Sequence, residues 1–129
     1  MSEEIEFLEV EDILIVHRNQ IDLYGGSSGV RDRGLLESAV NAVQASFDGE
    51  YMHKTLYERA SAYIFYLAQN HPFIDGNKRT ALATGLVYLD MNGIEIDDPN
   101  EELYAMMIEV STGNSSKEKV SEVLKRLTA

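Results

Sequence analysis

One segment near the middle of the chain is apolar on almost every side when it is arranged as an α-helix. The segment covers about residues 77–92, and its apolar or small side chains are Ala81, Leu82, Thr84, Gly85, Leu86, Val87, Tyr88, Leu89 and Met91. A helix of this kind is stable only when other elements pack around it. We therefore expect this helix to lie at the centre of the fold, with Gly93 as its C-terminal cap.

The flanking segments have the spacing of amphipathic helices that bury one face. Apolar residues at intervals of three and four predict helices over about residues 11–20, 33–46 and 54–70. A further helix is predicted to open at Asp98 with Pro99 at its first position. The last helix is predicted to follow a capping box formed by Ser115 and Glu118.

Few strands are expected. Alternation of polar and apolar residues over 4–7 predicts a short strand. Residues 94–96 are a second candidate strand that could pair with it. Residues 47–53 break the helical pattern and predict a turn or small hairpin. Hydrophobic residues make up 44% of the chain and charged residues 26%, which are ordinary globular values. We expect a mainly α-helical, compact single domain over residues 1–129, with at most two or three short strands.

The charge and the residue types exclude several kinds of protein. A formal net charge of -11 disfavours direct binding to nucleic acid, and therefore an RNA-cleaving activity. The chain has no cysteine, which excludes disulfides and thiol catalysis. The first residues lack the pattern of a signal peptide, and the purest apolar run, residues 62–68, is too short to cross a membrane. We expect a cytoplasmic protein.

The nine residues His71–Arg79, here called the motif segment, join the end of one buried helix to the start of the central one. Gly76 and Asn77 lead into a helix N-terminus, where free backbone N–H groups and the helix dipole favour an anion. Lys78 and Arg79 add positive charge at an end where it opposes the dipole, and a bound phosphate would remove that conflict.

The other polar groups of the motif segment suit transfer of a phosphoryl or nucleotidyl group. Asp75 offers the carboxylate that Mg²⁺ prefers beside phosphate oxygens. His71 supplies an imidazole, the side chain that most often serves as a general base. Phe73 lies between polar positions and is expected to point inward and anchor the turn.

Each of these residues also has a structural explanation. His71-Pro72 is a common helix stop, Asp75-Gly76 is a common turn, and the next three residues suit a solvated first helical turn. Taken singly, each is best explained structurally. Taken together, the imidazole, the carboxylate and the cationic helix start favour a site that handles phosphate.

The motif segment resembles the Fic motif, whose AMP-transferring members read H-P-F-x-[D/E]-G-N-G-R-x-x-R. It departs at Lys78, where those members have glycine, and at Leu82, where they have a second arginine. Both departures are typical of the death-on-curing (Doc) branch, which reads H-x-F-x-D-[A/G]-N-K-R. The likeness extends to residues 24–26, 29–32, 34–39 and 70–92, so it covers nearly the whole chain.

The resemblance implies a compact α-helical Fic/Doc fold and an enzyme that uses ATP and Mg²⁺. It implies that His71 is the catalytic base and that Asp75 holds the metal ion. The residues implied to bind the nucleotide phosphates are Gly76, Asn77, Lys78 and Arg79. The catalytic set is then His71, Asp75, Asn77 and Arg79, with Phe73 as the anchor of the motif.

The resemblance also implies a target and a partner. Doc enzymes are toxins that phosphorylate a threonine of elongation factor Tu and arrest translation, and a Phd-like antitoxin holds them inactive. AMP-transferring relatives bind ATP in the opposite direction and place the second arginine on the γ-phosphate, which Leu82 cannot contact in that way. This difference favours phosphate transfer. A Fic-type protein AMP-transferase and a non-catalytic, antitoxin-binding co-repressor module remain the alternatives.

Four features outside the motif segment have both a functional and a structural interpretation. Residues 47–53 match the flap with which Fic proteins pair an extended target segment, or they form a plain surface loop. Arg31 and Asp32 could shape the site, but a surface arginine and a helix-capping aspartate explain them more simply. His17 and His53 have no partners at metal-ligand spacing, so we expect solvated or locally hydrogen-bonded histidines.

Overall fold

Six helices and one small hairpin form the architecture of residues 5–129, which are the residues that this computed structural model describes. The elements, in chain order, are α1 Val10–Tyr24, α2 Arg33–Val43, β1 Ser46–Phe47, β2 Glu50–Tyr51, α3 Leu56–Asn70, α4 Asn77–Met91, α5 Glu102–Ser111 and α6 Lys117–Arg126. The predicted mainly α-helical class is confirmed.

Helices α3 and α4 form the centre of the fold and pack against each other more extensively than any other pair. α1 lies against α4, while α2 and α6 cover other sides of α3. Gly85 makes the close approach possible, because a Cβ there would lie 2.5 Å from Cγ1 of Ile64 on α3. The prediction of a central helix is therefore confirmed, but Val87 and Met91 are exposed, so one side of α4 faces the solvent.

The amphipathic helices bury the faces that their spacing predicts. The apolar stripe of α2 is fully buried, and it consists of Leu36, Ala39, Val40 and Val43. Val120 and Leu124 of α6 are buried in the same hydrophobic core. Because the two ends of the motif segment belong to α3 and α4, the core fixes the distance between them.

The predicted N-terminal strand is wrong for the residues that can be described. Residue 4 lies outside the described part of the chain, and residues 5–9 form neither a helix nor a strand. The hydroxyl of Tyr63 accepts from Leu8 N at 2.7 Å and donates to Leu8 O at 2.9 Å. A side chain from the core thus replaces the pairing strand.

Residues 94–96 pair with the C-terminus rather than with the N-terminus. Ile96 forms an isolated antiparallel bridge with Thr128. The neighbouring bonds run from Asp97 N to Leu127 O at 2.8 Å and from Ala129 N to Glu95 O at 2.9 Å. The expected partner is therefore wrong, because residues 127–129, which follow α6, supply the main-chain partners of this segment.

Two predicted helix starts are also wrong. α5 begins at Glu102, because both carboxylate oxygens of Asp98 accept from the N–H groups of Glu102 and Leu103, at 2.8 and 2.9 Å. Asp98 therefore stabilises the first turn from a distance, and Pro99 lies before the helix. The cap of α6 is Ser116 rather than Ser115, and its hydroxyl accepts from the N–H of Lys119.

No helix within residues 5–129 is long and apolar enough to cross a membrane.

Candidate active site

The turn that joins α3 to α4 is closed by its own side chains. His71 follows α3 in a left-handed conformation, with φ 48° and ψ 55°. Phe73 is 1% exposed, which confirms its prediction as the inward anchor. The side-chain amide of Asn77 accepts from Phe73 N and donates to Phe73 O, both at 2.9 Å. Since the amide is engaged inside the turn, the backbone N–H is the group of Asn77 most available to a ligand.

The N-terminus of α4 leaves its first donors free. Gly76 precedes the helix with φ 75° and ψ 22°, a region that glycine adopts without strain. No side chain caps this turn, and the N–H groups of Asn77, Lys78 and Arg79 have no partner among the described residues. Such donors, together with the helix dipole, bind anions.

Asp75 presents an ionised carboxylate at the same turn. Its Oδ2 accepts from Ser27 N at 3.1 Å, and its Oδ1 accepts from Gly76 N at 2.8 Å. These two hydrogen bonds lower the pKa of Asp75 below its ordinary value. No cluster of three potential metal ligands occurs within residues 5–129. A Mg²⁺ ion here would therefore depend on phosphate oxygens and water for its other ligands, as this ion usually does.

Arg79 and Lys78 supply the positive charge. Arg79 Nη2 donates to Gly25 O at 2.8 Å, and its guanidinium carbon lies 5.7 Å from the ring centroid of Tyr24. Its Nε is buried and has no hydrogen-bond partner among the described residues, so a donor to a phosphate in the cleft would have to be a terminal nitrogen of the guanidinium. Lys78 is exposed.

One cleft of about 630 Å³ brings these groups together. It is lined by Tyr24, Gly25, Gly26, His71, Ile74, Asp75, Gly76, Asn77, Lys78 and Arg79. The structure thus places every polar residue predicted from the motif segment on one surface, with Phe73 beneath it.

A loop between α1 and α2, residues 25–32, lies along the motif segment and was only partly anticipated. Ser27 N contacts Asp75, Ile74 N donates to Gly29 O at 3.1 Å, and Arg31 donates to the backbone of α3's last turn. Arg31 is therefore more than the surface arginine expected. Asp32 does cap α2, since its carboxylate accepts from Leu35 N at 3.1 Å. The sequence signal was the run of glycines at positions 25, 26 and 29.

His17 of α1 contacts the buried side of the turn between α3 and α4. It is buried on α1, and its ring stacks on Phe73 with the centroids 3.8 Å apart and the planes within 4° of each other. Nε2 donates to the carbonyl oxygen of Asp75 at 2.8 Å. His17 is therefore hydrogen-bonded, as expected, but its partner lies in the motif segment 58 residues away rather than nearby in the sequence.

His53 is locally hydrogen-bonded as well, at a distance from the cleft. Its Nδ1 donates to Val43 O at 3.2 Å, and its Nε2 accepts from Lys117 Nζ at 3.1 Å. Burial, followed by the charge of Lys117, lowers the pKa of His53. The neutral ring therefore joins α6 to the end of α2.

The expected hairpin is present at residues 46–51. Ser46 pairs with Tyr51 and Phe47 with Glu50. Asp48 and Gly49 both have positive φ, which the tightest hairpin turns require. Phe47 is 79% exposed and contributes an unpaired apolar side chain to the hairpin surface.

These features define a class: small helical proteins in which the central helix begins with free N–H groups beside two cationic side chains, and an imidazole lies at the other side of the same turn. The sequence model of the Fic/DOC family matches residues 7–89, which include the turn, the loop and the hairpin. The chain belongs to the Fic/DOC family.

Two relatives match the chain over nearly its whole length. The protein kinase doc of Escherichia phage P1 is 35% identical over 117 residues, which are 91% of this chain and 91% of the relative. The toxin Doc of Mycolicibacterium smegmatis is 35% identical over 121 residues, which are 92% of this chain and 91% of the relative.

Proposed function

We propose that the chain is the toxin of a toxin–antitoxin system and transfers the γ-phosphate of ATP to a threonine hydroxyl of elongation factor Tu. The observation that carries the proposal is the cleft, where His71, the Asp75 carboxylate and the open N-terminus of α4 face one ligand space. The names of the two relatives, a protein kinase and a toxin, agree with it. Translation arrest would follow from modification of the factor, in the cytoplasm.

The residues of the cleft fit the demands of an in-line phosphate transfer. His71 takes the proton from the threonine hydroxyl, whose oxygen then attacks the γ-phosphorus. The bond from this phosphorus to the β–γ bridging oxygen breaks, and ADP leaves with the electron pair. His71 lies exposed on the cleft wall, where a protein hydroxyl can reach it.

The phosphates are held by groups that have unused donors. The N–H groups of Asn77, Lys78 and Arg79 at the start of α4 bind phosphate oxygens, and the side chains of Lys78 and Arg79 neutralise their charge. The N–H of Gly76 is engaged by Asp75, so Gly76 contributes by letting a phosphate come close to the backbone. Bound Mg²⁺ supplies further neutralisation of the phosphate charge, and Asp75 is the residue that would hold it. The low pKa of Asp75 keeps that carboxylate ionised at neutral pH.

The hairpin at residues 46–51 is proposed as the docking edge for the target. It has two short strands, so each outer edge can accept an extended segment through main-chain hydrogen bonds. The exposed ring of Phe47 would contact an apolar side chain of that segment.

A Phd-like antitoxin is proposed as the second partner. The net charge of -11 favours a partner segment that carries lysine or arginine, and it disfavours a direct nucleic-acid ligand. The antitoxin would hold the enzyme inactive while it is bound.

Leu82 supports phosphate transfer over AMP transfer. Its side chain is half-buried against the hydrophobic core of the fold. It therefore supplies no cation for a γ-phosphate in the reversed nucleotide orientation that the resemblance to AMP-transferring proteins describes.

The experiment is transfer of label to purified elongation factor Tu from ATP labelled at the α- or the γ-phosphate. We expect label from the γ-position only, loss of label with His71→Ala, and retention with Lys119→Ala, an exposed residue outside the cleft. Label from the α-position would show AMP transfer instead. If a folded chain transfers no label from either position, to elongation factor Tu or to the proteins of a whole lysate, the non-catalytic module is favoured.

A further inference from the structure

The last carbonyl groups of α3 belong to the proposed base, His71, and to the residue before it, Asn70. His71 is a non-glycine residue in the left-handed region, and Pro72 follows it without an N–H group to donate. The carbonyl oxygens of Asn70 and His71 therefore need partners from outside the helix.

Arg31 supplies those partners. Its Nε donates to His71 O at 2.8 Å, and its Nη2 donates to Asn70 O at 3.1 Å. The planar guanidinium thus contacts two successive carbonyls at once, a geometry that the ammonium of lysine does not reproduce. Its charge also lies at the C-terminal end of α3, where the helix dipole favours a cation.

The backbone around Arg31 holds the next residue of the turn. The N–H groups of Arg31 and Asp32 both donate to Pro72 O, at 2.7 and 3.0 Å. Val30 forms an isolated antiparallel bridge with Phe73. The peptide groups on both sides of His71 are therefore fixed to one short segment, residues 30–32.

Within residues 5–129, the side chain of Arg31 has no hydrogen bond or salt bridge other than the two to the last carbonyl oxygens of α3. It takes part in none of the salt bridges found within residues 5–129, whereas Arg33, two positions on, pairs with Glu11 and Glu37. Its side chain is instead committed to main-chain oxygens beside the cleft.

We propose that Arg31 is a positioning residue for His71. It holds the left-handed backbone of His71 in place, and through that backbone it sets where the imidazole meets the target hydroxyl. Arg31 touches none of the proposed phosphate-binding groups, so its removal should lower kcat and leave the KM for ATP unchanged. The kinetic part of this inference rests on the proposed function.

The kinetic test compares Arg31→Met and Arg31→Lys with the surface control Arg33→Met in γ-phosphate transfer. A displaced reacting group lowers rates by up to about 100-fold per ångström, so we expect Arg31→Met to lower kcat roughly tenfold or more. Arg31→Lys should recover part of this loss, since one donor is restored. Arg33→Met should match the unmodified chain. Wild-type kcat in a folded Arg31→Met protein would overturn the inference.

A second readout does not depend on activity. Backbone amide NMR signals of Asn70, His71 and Phe73 should shift or broaden in Arg31→Met and stay in place in Arg33→Met. Unchanged signals in Arg31→Met would overturn the inference even if kcat fell. If Arg31→Met does not fold, the same spectra of Arg31→Lys decide the question. If the unmodified chain transfers no phosphate, the proposed function is wrong. The NMR comparison would still test whether Arg31 holds the backbone of His71 in place.

Discussion

Replacement of Gly26 by alanine should damage the candidate site while the fold persists. Gly26 has φ +117°, and a Cβ there would lie 2.7 Å from Oδ2 of Asp75 and 3.3 Å from its Cγ. Ordinary van der Waals contact begins at 3.4 Å, so the carboxylate must retreat by about 0.7 Å. A misplacement of 1 Å lowers rates by about 100-fold, so we expect a loss of roughly tenfold or more in kcat/KM.

Gly93→Ala is the matched control. Gly93 also has a positive φ, +82°, a Cβ there meets no atom within 4 Å, and the residue lies outside the cleft. Both variants place alanine at a positive φ, which costs about 1–3 kcal/mol, and only Gly26→Ala places a Cβ against Asp75. The assay is the Mg²⁺ dependence of phosphate transfer, together with urea unfolding of each variant.

We expect similar unfolding midpoints for the two variants and a raised Mg²⁺ requirement for Gly26→Ala alone. Equal activity and equal Mg²⁺ dependence in the two would refute the argument that this loop sets the position of the Asp75 carboxylate.

Three further predictions concern packing, pH and docking. Gly85→Ala brings a Cβ to within 2.5 Å of the buried Ile64, so strain of about 3 kcal/mol should outweigh a helix-propensity gain of about 1 kcal/mol; a chemical unfolding midpoint at or above that of the unmodified chain would contradict this. The pKa of Asp75 is lowered on folding, so its stabilisation is present above its ordinary value of 3.8 and lost as the pH falls through the lower folded value. The difference in unfolding free energy between the unmodified chain and Asp75→Asn should accordingly narrow at acid pH; a gap that widens there would show the opposite sign of shift. Phe47→Ser should raise the KM for the protein target and leave the KM for ATP unchanged, because this ring is exposed on the proposed docking edge; unchanged target kinetics would remove the hairpin from the docking surface.

Local spacing was enough to predict the helical core. The buried face of α2 was predicted from apolar residues at intervals of three and four, and Leu36 on that face is buried. The central position of α4 was predicted from apolar side chains on almost every side, and Tyr88 of that helix is buried. The wrong predictions, the N-terminal strand and the pairing of residues 94–96, concern main-chain groups that bond to residues distant in the sequence. Nothing near Leu8 in the sequence shows that the Tyr63 hydroxyl will take both of its main-chain groups. Likewise, nothing near Ile96 in the sequence shows that Thr128, on the far side of two helices, forms its bridge partner.

The motif segment was more predictable than its supports. His71, Asp75 and Arg79 lie within one short turn, so their proximity follows from the chain itself. His17 and Arg31 contact that turn from 58 and 40 residues away. A histidine on the buried side of a helix and an arginine before a helix have many structural uses. Only the packing of α1 and the course of residues 25–32 show that both contact the motif segment.

The proposed activity is transfer of phosphate from ATP to a protein hydroxyl. Mass spectrometry of elongation factor Tu after incubation with the chain, ATP and Mg²⁺, with the modified peptide sequenced, tests this activity. We expect a gain of one phosphate group on a threonine, absent when His71→Ala replaces the unmodified chain. A gain of one AMP group, or an unmodified factor in the presence of folded and antitoxin-free protein, would contradict it.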